Sequence, residues 1–404
     1  MRKQYLLVFV FAGLIALFNA CKMGSDYKAL IVTGQNNHNW KASSPVLKQL
    51  LEQTGLFSAN IALTPEKKGD MTTFNPDFSK YDVVVLDYNG DSWSEKTKTA
   101  FVDFVSNGGG AVIFHGADNA FPEWKEFNLM AGLGGWGGRN EKDGPYVYYN
   151  NDKMVIDTAA GRGGSHGKRS EFEVRIRSTE HPITKGLPVR WVHGSDELYS
   201  ELRGPAKNME ILATAMSQKN AGGSGRHEPT LMTISYGKGR IFHTVLGHAD
   251  EGGGPAMECA GFIATYQRGA EWAASGNVTQ KVPYDFPNAA GASLRTGFKE
   301  LTLEDDLAKI ANYDITKSTK YFVDLQSRIR TEAKTPEALQ KFEKLMIKVL
   351  QNKEATADGK KLLLHELSWM GSDLSIPVIK ELAKNPELKD EADFALARLQ
   401  TTKQ

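Results

Sequence analysis

The chain has 404 residues, of which 49 are basic and 48 are acidic, so its formal net charge at pH 7 is +1. This balance, without a basic patch, excludes the electrostatic footprint of a nucleic-acid-binding protein, and we expect no nucleic-acid partner. The 41% hydrophobic content is ordinary for a packed globular protein, and the length allows two or three domains.

The first twenty residues have the pattern of an export signal. Arg2 and Lys3 precede an apolar run at 5–18, which ends shortly before Cys21. The run is shorter than the roughly 20 apolar residues that a membrane-spanning helix needs. We therefore expect residues 1–20 to be a lipoprotein signal peptide and Cys21 to be acylated, which anchors an exported protein to a membrane, facing the periplasm. An ordinary cleaved signal is the alternative.

The sequence contains two cysteines, Cys21 and Cys259. If the first carries acyl chains, the second has no partner for an internal disulfide. Cys259 lies in an apolar, helical context, where a buried and unreactive thiol is expected.

Residues 21–275 have the alternating pattern of an α/β domain. Apolar runs predict strands at 29–32, 83–86 and 111–114. Amphipathic stretches between them predict helices at 44–54 and 94–106. Unbroken apolar strands separated by helices predict a parallel sheet that is covered on both faces.

The polar residues of this region fall where the predicted strands end. The loops after the three strands contain Asn37, His38 and Trp40, then Asp91 and Trp93, then His115 and Asp118. The carboxyl ends of parallel strands meet at one edge of a sheet, where ligands bind. Asn, Asp and Gly are also common turn residues, which is the alternative for any single loop. Three such loops together predict a binding site on this edge.

Residues 172–248 have the pattern of mixed strands, with a hairpin at Gly237–Gly239, and a helix at 257–274 closes the domain. Prolines and glycines make 276–299 the predicted linker. Residues 300–404 are predicted to form an all-α domain whose paired helices resemble a short HEAT-like repeat. Such a module would dock a protein partner.

The run Gly132–Gly137 has the GxGxxG spacing of a dinucleotide-binding turn. It follows a predicted helix at 124–131, and the segment after it does not begin a helix. The dinucleotide fingerprint needs strand, turn and helix in that order. We therefore expect no NAD, and interpret the glycines as a flexible flap over the site.

A series of motifs, in order along the chain, resembles the trehalose-utilisation (ThuA-like) family. They are Asn37–Trp40, Tyr88–Trp93, His115–Phe121, Gly134–Arg139, Gly161–Gly167, His181–Thr184, Asp196–Tyr199, Gly225–Pro229 and Gly247–Asp250. The resemblance implies a flavodoxin-like α/β domain related to class I glutamine amidotransferases. It also implies a role in sugar catabolism, including pathways through 3-keto sugars.

The resemblance does not extend to the amidotransferase reaction. His115 and Gly116 stand at the turn where those enzymes carry a cysteine nucleophile. Imidazole in that place cannot form the thioester, and no serine or threonine replaces the cysteine. The fold is therefore expected to be retained without the glutaminase activity.

Acid–base chemistry on a sugar is the function that these residues favour. The candidate catalytic residues are His115, Asp118, His193, Glu197 and His248. The candidate substrate-binding residues are Asn37, His38, Trp40, Asp91, Trp93, Trp136, His166 and Arg226. Carboxylates donate or accept protons, His115 and His193 are expected to exchange them near neutral pH, and the tryptophans would stack on a pyranose face.

We therefore expect an enzyme that acts on a glycoside or an oxidised (3-keto) sugar. The alternative is a non-catalytic sugar-binding or scaffold protein, in which the tryptophans belong to the core and the helical tail docks a partner. Several loop histidines beside carboxylates also fit a divalent metal ion, although the sequence has neither HExxH nor His-x-His spacing. No cofactor is firmly predicted, and a divalent metal ion remains an open alternative.

Overall fold

The computed structural model describes residues 27–401. The predicted signal peptide and the predicted acylation site at Cys21 lie outside the described residues. Among residues 27–401, no helix is both long enough and apolar enough to cross a membrane.

The elements alternate along the first half of the chain and become helical in the last quarter. The strands are β1 (Tyr27–Thr33), β2 (Phe57–Leu63), β3 (Val83–Leu86), β4 (Gly110–Phe114), β5 (Tyr146–Asn150), β6 (Lys153–Asp157), β7 (Ser165–His166), β8 (Ser170–Ile176), β9 (Arg190–Asp196), β10 (Tyr199–Ser200), β11 (Met209–Met216), β12 (His227–Tyr236) and β13 (Gly239–Thr244). The α-helices are α1 (Trp40–Gln53), α2 (Glu95–Ser106), α3 (Lys125–Ala131), α4 (Gly254–Glu258), α5 (Ala260–Ser275), α6 (Leu303–Ala311), α7 (Lys320–Glu332), α8 (Pro336–Gln351), α9 (Ala357–Met370), α10 (Ile376–Leu382) and α11 (Lys389–Thr401).

The central sheet has a parallel half and an antiparallel half. Its parallel half runs β2-β1-β3-β4-β13, which is the flavodoxin-like strand order 2-1-3-4-5. Strand β12 then pairs antiparallel with β13, and β11, β8 and β9 follow in this order, each antiparallel to the strand before it. The predicted flavodoxin-like α/β fold is confirmed, with the mixed strands as an extension of the same sheet.

The burial of the strands explains the unbroken apolar runs. All four residues of β3 are buried, and helices cover both faces of the parallel half. On β13, Phe242 packs against Gly269 of α5, whereas the next residue, His243, donates from Nδ1 to the carbonyl of Ala131 at the end of α3. Because successive side chains of a strand point to opposite faces, α3 and α5 lie on opposite sides of the sheet.

Sequence reasoning misses strand β2, which forms the edge of the sheet. Its side chains at Ile61 and Leu63 are exposed, so the segment lacks the apolar run that marks β3 and β4. The predicted helix at 257–274 is divided, since the extended backbone of Cys259 separates α4 from α5. The Cys259 thiol is buried, as expected.

The predicted linker at 276–299 packs against its neighbours instead of lying exposed. Arg295 forms two hydrogen bonds with the fully buried carboxylate of Asp285, at 2.6 and 2.7 Å. The guanidinium of Arg328, from α7, lies 3.9 Å from the ring centre of Tyr284. The segment therefore joins the α/β region to the helices through a buried, charged junction.

Helices α6 to α11 enclose a hydrophobic core of their own. Leu325, Leu363, Leu364 and Leu367 are fully buried in it, and the side chain of Thr335 caps α8 by accepting from the backbone amide of Ala338. The predicted C-terminal all-α region is confirmed, and its kinship to HEAT repeats remains a prediction.

Candidate functional site

Four side chains converge at the carboxyl edge of the sheet, and we call them the rim cluster: His38, His115, Glu197 and His248. Each follows a strand. His38 lies in the loop after β1, His115 comes directly after β4, Glu197 directly after β9, and His248 four residues after β13. The parallel half therefore supplies the three imidazoles and the antiparallel half supplies the carboxylate.

The three rings of the rim cluster are in mutual contact. The ring centres of His38 and His115 are 4.6 Å apart, those of His38 and His248 are 4.9 Å apart, and those of His115 and His248 are 5.4 Å apart. Each pair meets edge to face, so the rings surround a common point instead of stacking.

His115 occupies the sharp turn after β4 with a backbone φ of +45°, a left-handed conformation that non-glycine residues seldom adopt. Its Nδ1 donates a 2.6 Å hydrogen bond to the carbonyl of Val245. Burial, with the nearby charge of His38, lowers the pKa of His115 to about 3. The ring is therefore neutral at pH 7, and the expectation that His115 exchanges protons near neutral pH is corrected.

Glu197 is half-buried and faces two of the imidazoles. Its Oε2 lies 3.2 Å from Nδ1 of His248 and 3.7 Å from Nε2 of His38. Its Oε1 accepts a 3.3 Å hydrogen bond from Nε of Arg169. Burial alone would raise the pKa of Glu197, but the neighbouring His248 and His38 rings hold it well below its usual value, so the group is a carboxylate.

An aromatic wall borders the rim cluster. Tyr199 stacks on His115 with ring centres 4.5 Å apart, and its hydroxyl lies 3.2 Å from Nε2 of His38. The indole of Trp136 meets Tyr199 edge-on at 4.8 Å, and the exposed ring of His166 lies 6.1 Å from Trp136. The sequence analysis places Tyr199 in a motif without giving it a role. Its position two residues after the predicted catalytic residue Glu197 is the feature of the sequence that could have indicated one.

The glycine segment that presents Trp136 is fixed by hydrogen bonds. Gly134 and Arg203 exchange two backbone hydrogen bonds, and the amide of Trp136 donates to the carbonyl of Gly163. The buried guanidinium of Arg139 donates to the carbonyls of Asn119, Gly135 and Ala120. The expectation of a flexible flap is therefore corrected: the segment is a braced wall of the site.

A buried carboxylate, Asp196, lies beneath the rim cluster. It accepts a 2.8 Å hydrogen bond from Nε2 of His193, and it accepts from the backbone amides of Glu197, Gly247 and His248 at 2.7, 2.8 and 3.2 Å. Two of the four cluster residues are thus positioned through their main chain by one side chain.

The whole of residues 28–273 matches a family model described as "ThuA: Trehalose utilisation". The chain belongs to the ThuA family. A crystal structure of a ThuA-like protein from Parabacteroides merdae is 54% identical, with a TM-score of 0.67, over 68% of this chain and 99% of that one. A ThuA-like protein from Bacteroides uniformis is 19% identical, with a TM-score of 0.42, over 63% and 94%. No curated protein matches the chain. Membership indicates a carbohydrate-related role for this ThuA protein.

Two of the predicted catalytic residues of this ThuA protein, His193 and Asp118, are fully buried and lie outside the rim cluster. His193 lies inside β9, fully buried; burial alone would lower its pKa, but the Cys259 thiol and Asp196 raise it to about 9, so it stays protonated. Asp118 is also fully buried, with Oδ2 3.5 Å from Nε2 of His243, and burial raises its pKa. The expected proton exchange by His193 is corrected, because a ring locked on Asp196 is not free to take part.

Of the predicted substrate-binding residues, His38, Trp136 and His166 lie at or beside the rim cluster of this ThuA protein. Trp93 does not: it is buried among Phe74, Phe78 and other aromatic rings of the core, so its assignment as a sugar platform is corrected.

The other predicted residues have contacts elsewhere. Arg226 lies 4.2 Å from the ring centre of Tyr148, on the β5–β6 hairpin. Asp91 accepts from the backbone amide of Lys68, and Asn37 accepts from the side-chain amide of Asn89 at 2.7 Å. Trp40 begins α1 and is half-buried. The loops after β1 and β4 contribute to the rim cluster, whereas Asp91 and Trp93 in the loop after β3 have contacts outside it, and Asn89 of that loop supports Asn37.

Proposed function

We propose that the protein is an enzyme of carbohydrate breakdown that acts on a glycoside or an oxidised sugar, such as a 3-keto sugar, at the rim cluster. The observation that carries the proposal is the convergence of three imidazoles and one carboxylate, beside a phenol and an indole, at the ligand-binding edge of a ThuA-family fold.

Both candidate reactions need proton transfer. Breaking a glycosidic bond, by hydrolysis or by elimination next to a keto group, requires a base that takes a proton from water or from carbon and an acid that gives a proton to the departing oxygen. Elimination also needs stabilisation of negative charge on the keto oxygen, whereas hydrolysis passes through a positively charged, oxocarbenium-like transition state. The Glu197 carboxylate and the Tyr199 hydroxyl both face Nε2 of His38. The first is ionised, and the second is held neutral because burial raises the pKa of Tyr199 well above its usual value. The centre therefore contains both an acceptor and a donor.

The aromatic wall supports a sugar as the substrate. Trp136 is half-buried and presents an indole beside the cluster, and the apolar face of a pyranose ring packs against such a ring. Tyr199 is buried and supports the indole edge-on. A purely sugar-binding protein would need this wall but would not need three imidazoles around one carboxylate, two of them with an unpaired ring nitrogen, and on this ground we favour an enzyme.

Export remains part of the proposal. The apolar run at 5–18 before Cys21 supports a lipid-anchored protein that meets its substrate in the periplasm. Cys21→Ser should move the protein from the membrane fraction to the soluble fraction after cell lysis, and continued membrane association of this variant would refute the anchor.

The activity is tested by incubating the purified protein with trehalose, other glycosides and their 3-keto derivatives, and measuring released sugar. His115→Ala should lower turnover roughly 10²-fold or more, the usual scale for losing a positioned catalytic group. His365→Ala removes an exposed imidazole from α9 and should leave turnover unchanged. Saturable binding of a sugar without turnover would instead establish the non-catalytic alternative.

A further inference from the structure

We propose that His38, His115, Glu197 and His248 are the ligands of one divalent transition-metal ion. The inference rests on the proposed function only for the location of the site. Each residue offers one nitrogen or oxygen atom, and these four atoms all lie within 4.8 Å of one another. The four groups then act as one centre instead of as separate acids and bases.

Two of the separations between ligand atoms are close to those around a metal ion, and the remaining ones are no longer than 4.8 Å. Around a tetrahedral ion with bonds of 2.0–2.1 Å, neighbouring ligand atoms are about 3.3 Å apart. Oε2 of Glu197 lies 3.2 Å from Nδ1 of His248 and 3.7 Å from Nε2 of His38. Nδ1 of His248 is buried, and Glu197 is the group that faces it. Two ligands of one ion are expected to approach each other in this way.

The outer nitrogen atoms of two rings are already fixed. His115 donates from Nδ1 to the carbonyl of Val245, which leaves the lone pair of Nε2 facing the cluster, buried and without a partner. Nδ1 of His38 lies 3.4 Å from Oδ1 of Asn36, which likewise turns Nε2 toward the cluster. Metal-binding histidines usually donate their second ring N–H to a carbonyl or carboxyl group in this way, and a buried lone pair left unpaired is unfavourable.

Two contacts compete with the ion. The Tyr199 hydroxyl lies 3.2 Å from Nε2 of His38, and this contact must be given up when that nitrogen binds an ion. The guanidinium of Arg169 lies against Nε2 of His248, an arrangement that places the ring proton on Nδ1. Metal binding moves that proton to Nε2, where Oδ1 of Asp250 is 3.8 Å away. Arg169 is 39% exposed and also contacts Glu197 and Asp250, so it can withdraw from the ring without losing every partner.

The donor set selects the class of ion. Three imidazoles and one carboxylate suit zinc and its transition-metal neighbours, whereas magnesium and calcium prefer oxygen ligands throughout. An ion here would polarise a sugar carbonyl oxygen or lower the pKa of a bound water toward about 7. This supplies the stabilisation of negative charge and the base that the proposed reaction needs.

The test is metal binding by the purified protein after chelation, measured by calorimetry with Zn²⁺ in competition with a chelator. We expect one Zn²⁺ per chain, and no comparable binding of Mg²⁺. His115→Ala and Glu197→Gln should each weaken Zn²⁺ binding at least 100-fold. His166→Ala removes an imidazole that lies beside the wall but outside the four ligands, and should change Zn²⁺ affinity less than threefold. Arg169→Ala should bind as tightly as the unaltered protein or more tightly.

A second readout makes the test independent of folding. Co²⁺ in place of Zn²⁺ should give visible absorption bands in the unaltered protein that are lost in Glu197→Gln, while the far-ultraviolet circular dichroism of the two metal-free proteins agrees. Absence of saturable Zn²⁺ binding, or binding that survives both ligand substitutions, would overturn the metal site. Metal binding without turnover would contradict the proposed function alone, and full turnover by a protein that binds no Zn²⁺ would contradict the metal site alone.

Discussion

Histidine lies beside an acid both in the rim cluster and in two buried pairs beneath it, yet the chemistry differs. In the pairs, His193 with Asp196 and His243 with Asp118, the side chains of both partners are fully buried. In the rim cluster, Nε2 of His115 and Nδ1 of His248 face a shared point without a hydrogen-bond partner. Histidine and acidic residues therefore stabilise the fold in the buried pairs, whereas in the rim cluster they leave two ring nitrogen atoms without a hydrogen-bond partner.

The largest effect on stability is expected at the buried pair of His193 and Asp196. Asp196→Asn should lower the free energy of unfolding by about 3–5 kcal/mol, because it leaves the protonated His193 ring buried without its counter-charge. Chemical denaturation measures this loss. Asp285→Asn also breaks a buried pair, with Arg295, and should cost stability while leaving sugar binding intact. An Asp196→Asn protein within about 1 kcal/mol of the original would show that His193 is not charged.

A third buried acid, at the junction with the helices, extends the comparison to pH. Burial and the neighbouring Asp324 carboxylate raise the pKa of Asp306 from 3.8 to about 7, while Arg328 and Lys320 oppose this rise. The folded protein thus binds more protons than the unfolded one between these values, so stability falls as pH rises from about 4 to 7. Asp306→Asn should remove about 2 kcal/mol of this loss of stability. This value is smaller than the free energy that corresponds to the full pKa shift, because Asp324 titrates in the same range.

Thermal denaturation at pH 5 and pH 8 checks the Asp306 prediction. Asp306→Asn should match the original protein at pH 5, where the carboxyl group is protonated, and exceed it at pH 8. An equal fall in melting temperature in both proteins would contradict it.

Trp136→Ala addresses the wall of the rim cluster. The indole contacts Tyr199 and lies outside the four-residue cluster, so its removal should raise KM for a sugar substrate about tenfold, or about 1.4 kcal/mol, and leave kcat within threefold. Steady-state kinetics separates the two constants. Trp369→Ala, which removes an indole that is 63% exposed on α9, is the matched control. A fall in kcat at constant KM would place Trp136 in the chemistry instead.

The smallest effect is expected at Asp118. Because burial raises its pKa, Asp118→Asn replaces a group that favours its neutral form by a neutral amide of the same shape, and should change stability by less than about 1 kcal/mol at pH 5. Chemical denaturation of Asp118→Asn and Asp196→Asn under the same conditions compares the two losses of stability directly. A loss of several kcal/mol would mean that Asp118 and His243 form an ion pair like the one at His193.

The sequence identifies the loops of the site better than it identifies their side-chain roles. His38, His115 and His248 are predictable because polar residues after buried strands mark the ligand-binding edge. His243 is recognisable as a core residue by its apolar neighbours. His193 has glycine and acidic residues near it and is wrongly predicted to be part of the site, because the sequence of this segment does not show which side chains of β9 face the core. Trp93 fails for a different reason: its burial depends on aromatic partners that are distant in sequence.

The edge strand β2 escapes prediction because only one of its faces meets the core. A parallel sheet is predictable from apolar strands that alternate with helices. The sequence does not show how the antiparallel strands continue that sheet and bring Glu197 opposite three histidines.

The four cluster residues span positions 38 to 248 and follow strands from both halves of one sheet. No local segment holds more than one of them, so the centre comes into existence only when β1, β4, β13 and β9 have all found their places. Contacts of such long sequence separation form slowly, since loop closure must precede them. Ligand binding at the rim would therefore report, as a late event in refolding, that the whole α/β region has assembled.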